Sequence, residues 1–157
     1  MINHKGYLFF LEILLDIILV MGVIALVTFS LVTVFSMSQF SSLDLRTHVF
    51  AIIDCAFYLL IVYELKNILN KVFEEKPFII NNVKSFRRIA YYIFAIGFVD
   101  MINNIISRSF RILFVINKNG SVKPDILVFI ILGCVFLVTG DIFEKAIKIK
   151  DENDLTI

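Results

Sequence analysis

The chain has 157 residues and a net charge of +1; 59% of its residues are hydrophobic and 18% are charged. Soluble domains average about 45–50% apolar and about 25% charged residues, so this composition excludes an ordinary water-soluble domain and predicts one integral membrane domain, 1–157. No basic face of the kind that binds nucleic acid stands out, and the sequence has no Gly-rich phosphate loop, which argues against a nucleotide-binding fold.

The first apolar segment predicts a membrane-spanning helix near residues 8–36. It contains 19 successive residues without a charge, 17–35, and about 20 are needed to cross the hydrocarbon of a bilayer. Glu12 and Asp16 precede this uncharged stretch, which is longer than the apolar part of a signal peptide. We therefore expect a retained first helix.

The second apolar segment predicts a span over residues 48–66, followed by an amphipathic helical extension on the cytoplasmic side. Beyond Glu64 the apolar residues keep the spacing of one helix face, namely Leu65, Ile68, Leu69, Val72 and Phe73. Pro77 disfavours helical geometry in the residue before it, so the extension should end near Lys76.

The third predicted span covers residues 86–108. Asn81 or Asn82 can cap its start by accepting hydrogen bonds from first-turn amides. Tyr91 and Tyr92 follow as anchors at the membrane interface.

The connection 109–124 contains the turn signal Asn119-Gly120. Its β-branched part favours either a strand at the membrane surface or an extension of the third helix. The fourth predicted span, 125–145, begins after Pro124, and residues 146–157 leave it as a charged tail.

Four spans place both chain ends on one side of the membrane, and the cations indicate which side. Ten of the Lys and Arg residues lie on the side of the termini and five on the other side. Short cytoplasmic loops carry an excess of Lys and Arg, so we expect the termini, the loop 64–88 and the tail 146–157 in the cytoplasm. The sequence thus predicts an all-α membrane protein with four transmembrane helices, N-in and C-in. Such a small bundle favours self-association into a homo-oligomer.

Acidic and polar side chains inside the outer half of the spans form a candidate ligand or ion cavity. Its residues are Asp54, Asp100, Asn103, Asn104, Ser107 and Arg108. Ionised groups in a span are costly and usually face a bundle interior or an aqueous cavity. Hydrogen bonding between helices, with an Asp–Arg pair at the rim, is the structural alternative.

Two further groups lie on the cytoplasmic side. Glu12 and Asp16 share a helix face and are predicted to be a structural acid pair, with Arg87 or Arg88 as partners. A contact surface for anionic lipid or an acidic cytoplasmic protein is predicted at Lys71, Lys76, Pro77, Phe78, Lys84, Arg87, Arg88, Asp154, Leu155 and Thr156.

The sequence does not indicate an enzyme, a metal site or a cofactor. HExxH and GxSxG are absent, and Gly140-Asp141 lacks the preceding glycine of the GxGD motif of intramembrane aspartyl proteases. Cys55 and Cys134 are predicted to be packing residues inside apolar runs. His4 and His48, the two histidines, assemble no ligand cluster with them.

The segment YELKNILNKVFEEKPFIINNVKSFRRIAYYIFAIG resembles the central signature of a bacterial membrane family, domain of unknown function 2975. The positions that carry the resemblance are Leu65, Leu69, Pro77, Phe78, Asn82, Arg87, Arg88 and Gly97, together with the closing residues Glu152, Asn153, Asp154, Leu155, Thr156 and Ile157. The resemblance implies four helices with cytoplasmic ends in a bacterial inner membrane. It also implies a neighbouring gene for a small helix-turn-helix regulator, and it assigns no catalytic residues.

Three functions remain open from the sequence. The first is an interaction or regulatory protein whose basic loop and tail dock a cytoplasmic partner such as that regulator. The second is a small transporter, channel or immunity-type protein that uses Asp54 and Asp100. The third is a purely structural membrane subunit.

Overall fold

The computed structural model describes residues 4–36, 42–73, 79–106, 114–116, 122–124 and 126–154. Within these ranges the chain forms four helices and one antiparallel hairpin. The helices are α1 (His4–Phe35), α2 (Ser42–Phe73), α3 (Ile80–Ile106) and α4 (Ile126–Asp154), and the strands between α3 and α4 are β1 (Phe114–Ile116) and β2 (Val122–Pro124).

The helices form a row in chain order. In the described part of the chain α1 packs against α2 alone, α3 packs against both α2 and α4, and α4 contacts no helix other than α3. Neighbours run antiparallel: Gly22 of α1 lies against Leu59 of α2, while Phe29 stacks on His48 further along. The start of α1, the end of α2, the start of α3 and the end of α4 therefore share one end of the molecule, called here the terminal end.

The core lies on α3. Val83, Ile89, Ala90, Ile93 and Ile96 are all buried, because α2 and α4 cover opposite sides of this helix. Apolar residues of α2 and α4 complete the core, namely Phe57, Ile61, Leu65 and Ile68 from α2 with Phe129 and Phe136 from α4.

Glycines let α3 and α4 approach closely in a reciprocal way. Gly97 of α3 faces Phe129 of α4, and Gly133 of α4 faces the ring of Phe94 of α3. A Cβ built on Gly97 would lie 2.9 Å from the Cβ of Phe129, closer than carbon atoms pack. On each helix a glycine therefore packs against a phenylalanine of the other helix. Contacts through small residues are typical of helices in membranes.

Among the described residues three helices are long and apolar enough to cross a bilayer: Gly6–Phe35, Leu45–Phe73 and Ile126–Asn153. Their outward faces carry many exposed large hydrophobic side chains, such as Met21 of α1 and Val138 of α4. Such surface is unfavourable in water but suits lipid. α3 is less apolar because it carries Lys84, Arg87, Arg88 and Asp100, and it is also the helix that its neighbours shield most.

The helices extend beyond several of the predicted spans. α2 begins at Ser42, six residues before the predicted span. α3 begins at Ile80, which places Asn81 and Asn82 in its first turn and not before it. α4 includes most of the predicted tail, up to Asp154.

Two other features of the connections follow from the structure. The predicted continuation of the second helix past Glu64 is present as far as Phe73. The open choice for the connection 109–124 is decided by the hairpin, in which Phe114 pairs with Pro124 and Ile116 with Val122. The turn signal Asn119-Gly120 lies between these strands, outside the described residues.

Candidate functional site at the terminal end

An ion pair joins each neighbouring pair of helices near the terminal end. Lys66 of α2 pairs with Asp16 of α1, and Arg88 of α3 pairs with Glu64 of α2. Arg87 of α3 reaches α4, where it contacts two acids. We call this series, from α1 to α4, the ion-pair belt.

The pair between Glu64 and Arg88 is the most enclosed part of the belt. Arg88 donates from Nε to Oε1 of Glu64 at 2.6 Å and from Nη2 to Oε2 at 2.9 Å. The Glu64 side chain is only 6% exposed, and Arg88 Nη2 also donates to Ser85 Oγ at 3.1 Å. Two parallel bonds from one guanidinium fix both the distance and the orientation of the two helices.

Arg87 holds the end of α4. Its Nη2 donates to Oδ1 of Asp141 at 2.9 Å and to Oε2 of Glu144 at 2.7 Å. Lys148 contacts the other oxygen of Glu144 at 3.2 Å, one turn along α4. Adjacent arginines on α3 therefore reach in opposite directions, Arg88 to α2 and Arg87 to α4.

The partner predicted for Asp16, in the acid pair of Glu12 and Asp16, was wrong. Asp16 was expected to pair with Arg87 or Arg88, but its partner is Lys66. The reason is the order of the row: α1 packs against α2 and does not contact α3 within the described residues. Glu12 lies one turn nearer the start of α1 on the same face.

A polar pocket lies beside the belt, between the end of α2 and the start of α3. It has a volume of about 430 Å³ and is lined by Asn67, Asn70, Lys71, Asn81, Asn82, Ser85 and Arg88. Asn82 and Ser85 are buried, with exposures of 1% and 3%. We call this cavity the α2–α3 pocket.

The predicted basic contact surface divides into separate parts. Arg87 and Arg88 are engaged with acids of the belt, Lys71 lines the α2–α3 pocket, and Lys84 is exposed on α3. Asp154 is the last residue of α4. The remaining predicted positions lie outside the described residues, namely Lys76, Pro77, Phe78, Leu155 and Thr156.

Asp54 of α2 and Asp100 of α3 lie toward the other end of the α2–α3 interface. Tyr58 of α2 lies within electrostatic range of both Asp54 and Asp100. The pairing of Glu64 with Arg88 in antiparallel helices places the two acids at about the same level along α2 and α3. The side-chain oxygen of Asn103 is buried, with no hydrogen-bond partner among the described residues.

The structure describes only part of the remaining residues of the predicted outer cavity. Asn104 belongs to α3, while Ser107 and Arg108 lie outside the described residues. In the part of the chain that the structure describes, no three His, Cys, Asp or Glu residues group in a way that could hold a metal ion.

Sequence reasoning missed Glu64, Lys66, Asn67, Asn70 and Ser85 as site residues. A signal for the pocket exists: Asn67 and Asn70 are spaced i, i+3 before Pro77, and two further asparagines follow it. Residues at that spacing share a helix face. Two antiparallel helices joined at Pro77 can therefore turn their amides toward one cavity.

The profile of a family described as a protein of unknown function, DUF2975, matches residues 36–157. No curated protein and no solved structure matches the chain. The matched region contains α2, α3, α4 and the hairpin, and leaves α1 outside. Because the match covers most of the chain and agrees with the resemblance seen in its central segment, the protein belongs to the DUF2975 family.

Proposed function

We propose that the chain is a four-span protein of the bacterial inner membrane, with both ends in the cytoplasm. Three helices suit a bilayer by length and composition. α3 has 27 residues, about 40 Å at 1.5 Å per residue, and the hydrocarbon core is about 30 Å thick. It runs antiparallel between α2 and α4, so its polar groups can contact neighbouring helices while crossing the membrane.

At its terminal end the protein acts as a docking platform for a cytoplasmic regulator. The observation that carries this proposal is the ion-pair belt, which joins all four helices at one level. A rigid end of this kind presents the exposed Lys84 of α3 and Lys145 of α4 in a fixed arrangement. The complementary partner has an acidic surface, since opposite charges steer association and fix orientation. The role is non-enzymatic.

Co-expression with the helix-turn-helix protein that the family resemblance places in a neighbouring gene tests this proposal. We expect the regulator to co-purify with the detergent-solubilised chain, and the double variant Lys84→Glu, Lys145→Glu to reduce its recovery at least about tenfold. The matched control is Lys118→Glu, Lys123→Glu, which changes the same charge near the hairpin. Equal recovery with both double variants, or a gene neighbourhood that encodes no such regulator, contradicts the proposal.

An ion or ligand cavity at Asp54 and Asp100 is the second candidate function. One observation favours it: Tyr58 lies within electrostatic range of both acids, so the two carboxylates share one interface between α2 and α3. Two acids and a phenol in the outer half of a membrane protein supply oxygen ligands of the kind that hard cations prefer. The same three groups also suit a network of hydrogen bonds that only holds the helices together.

A further inference from the structure

We propose that the α2–α3 pocket binds a phosphate group, carried either by an anionic phospholipid headgroup or by a soluble phosphate ester. Its volume of about 430 Å³ falls within the range of small-molecule sites, about 300–1,000 Å³. The inference requires no protein partner. It can therefore fail or succeed separately from the docking function proposed above.

The chemistry of the walls favours an anion. The lining combines two cationic side chains, four side-chain amides and one hydroxyl, and no carboxylate is among the lining residues that the structure describes. Lysine and arginine are donors only, and each amide adds an NH₂ group. A ligand rich in acceptor oxygens satisfies such a wall better than water does, because charge-assisted hydrogen bonds are shorter and stronger than neutral ones.

Hydrogen bonds to two neighbouring side chains orient Arg88, which is one of the two cations that line the pocket. Glu64 accepts from its Nε and Nη2, and Ser85 accepts from Nη2. The guanidinium has five N–H groups in a fixed fork, and its contacts with Glu64 and Ser85 use Nε and Nη2. Nη1 is therefore the group that we assign to the ligand. Because Glu64 and Ser85 are buried, the arginine is oriented before the ligand arrives, and less conformational entropy is lost on binding.

The backbone of α3 adds to the same charge preference. The helix begins at Ile80, and Asn81 and Asn82 of its first turn line the pocket. The backbone N–H of Asn82 donates to the carbonyl of Ile79 at 3.0 Å, so the contribution of the helix start comes from its dipole, which is positive there. This effect supplements the side chains and is not needed for the assignment.

The position of the pocket explains why a lipid headgroup is one of the two sources. Tyr63 of α2 and Tyr91 of α3 are exposed close to the ion-pair belt, and tyrosine is enriched where membrane meets water. A pocket beside them is at headgroup level if the chain spans the membrane as proposed. The soluble source does not depend on that placement.

Calorimetric titration of the purified full-length protein in detergent tests the inference. Three probes are used: short-chain phosphatidylglycerol, short-chain phosphatidylcholine and glycerol 3-phosphate. We expect phosphatidylglycerol to bind more tightly than phosphatidylcholine, whose choline cation is repelled by the pocket. Binding of glycerol 3-phosphate as well identifies a soluble ester as sufficient, whereas its failure assigns the site to lipid.

Paired variants separate the pocket from general surface charge. We expect Lys71→Gln and Asn67→Asp each to weaken binding at least about tenfold, the effect of one charge-assisted hydrogen bond. Their matched controls, Lys150→Gln and Asn153→Asp, make the same charge changes on the exposed end of α4 and should leave affinity unchanged. Circular dichroism establishes that each variant is folded.

Two results overturn the inference. One is that neither phosphatidylglycerol nor glycerol 3-phosphate binds the unaltered protein. The other is that the pocket variants and their controls weaken binding equally, since the attraction then comes from the whole charged end of the molecule.

Discussion

Arg88 of α3 donates two hydrogen bonds, of 2.6 and 2.9 Å, to the carboxylate of Glu64 of α2. The acid is almost fully buried, whereas the arginine is about half exposed. A buried carboxylate is expensive unless it is paired and hydrogen-bonded. The contact therefore stabilises the α2–α3 interface mainly by removing the cost of burying Glu64.

A double-mutant cycle measures this contact. We expect Arg88→Gln to lower the free energy of unfolding by about 1–3 kcal/mol, because it leaves the buried acid with poorer partners. The double variant Glu64→Gln, Arg88→Gln should lose less than the sum of the single losses, by at least about 1 kcal/mol. The measurement is denaturant unfolding in detergent, followed by circular dichroism. Asp151→Asn, an exposed acid of α4, is the control, and strict additivity would show that the pair is not coupled.

The glycine–phenylalanine contacts between α3 and α4 predict that a second substitution restores stability at Gly133 but not at Gly97. Gly133→Ala and Gly97→Ala should each destabilise the protein by about 1–3 kcal/mol, because the new methyl group overlaps a phenylalanine. At Gly133 the overlap is with ring atoms of Phe94, so adding Phe94→Leu should restore part of the loss.

At Gly97 the nearest atom is the Cβ of Phe129, which leucine also possesses, so Phe129→Leu should not rescue Gly97→Ala. Thermal unfolding of the single and double variants checks both expectations. Val135→Leu, a comparable enlargement on the exposed face of α4, should have little effect. Rescue at both glycines would show that the helices move apart freely and that the close approach is not rigid.

The proposed four-span topology predicts which cysteines an impermeant thiol reagent reaches. After Cys55 and Cys134 are replaced by alanine, a cysteine at Lys84 or Lys150 should react only from the cytoplasmic side. A cysteine at Lys118, between the two strands, should react only from the outer side. Each variant is labelled in inverted and in right-side-out vesicles. If the cysteines at positions 84 and 118 react from the same side, α3 does not cross the membrane.

The outer acids are expected to stabilise the helix pair without binding a cation. Asp54→Asn and Asp100→Asn should each change the free energy of unfolding by about 0.6–2 kcal/mol, the range for polar contacts between membrane helices. The melting temperature should be the same in sodium, potassium and choline chloride. A sodium-dependent rise that both substitutions abolish would instead favour the ion cavity.

The helices could be predicted because their signals are local. Long apolar runs, the periodic spacing that extends from Leu65 to Phe73 and the helix break at Pro77 are all visible in neighbouring residues. The family could be recognised for the same reason, since its signature is one continuous segment. The start of α2 at Ser42 could not be predicted, because it lies in a polar stretch with no apolar pattern.

The site could be predicted only in part, because pairing depends on which helices are neighbours. Arg87 and Arg88 stand next to each other in the sequence, and nothing local indicates that one turns to α2 and the other to α4. The partner of Asp16 was wrong for this reason, since four antiparallel helices can close into a ring or lie in a row. Whether Asp54 and Asp100 have a function stays a prediction from the sequence.

The linear order of the helices has a consequence for transport. In the described part of the chain α1 and α4 make no contact, so the row of helices in one copy encloses no central channel. If solutes cross the membrane through this protein, their route must be walled by more than one copy or by another polypeptide. Two surfaces are available to form the wall of such a route. One is the side of α1 that faces away from α2, on a helix outside the family match. The other is the side of α4 that faces away from α3.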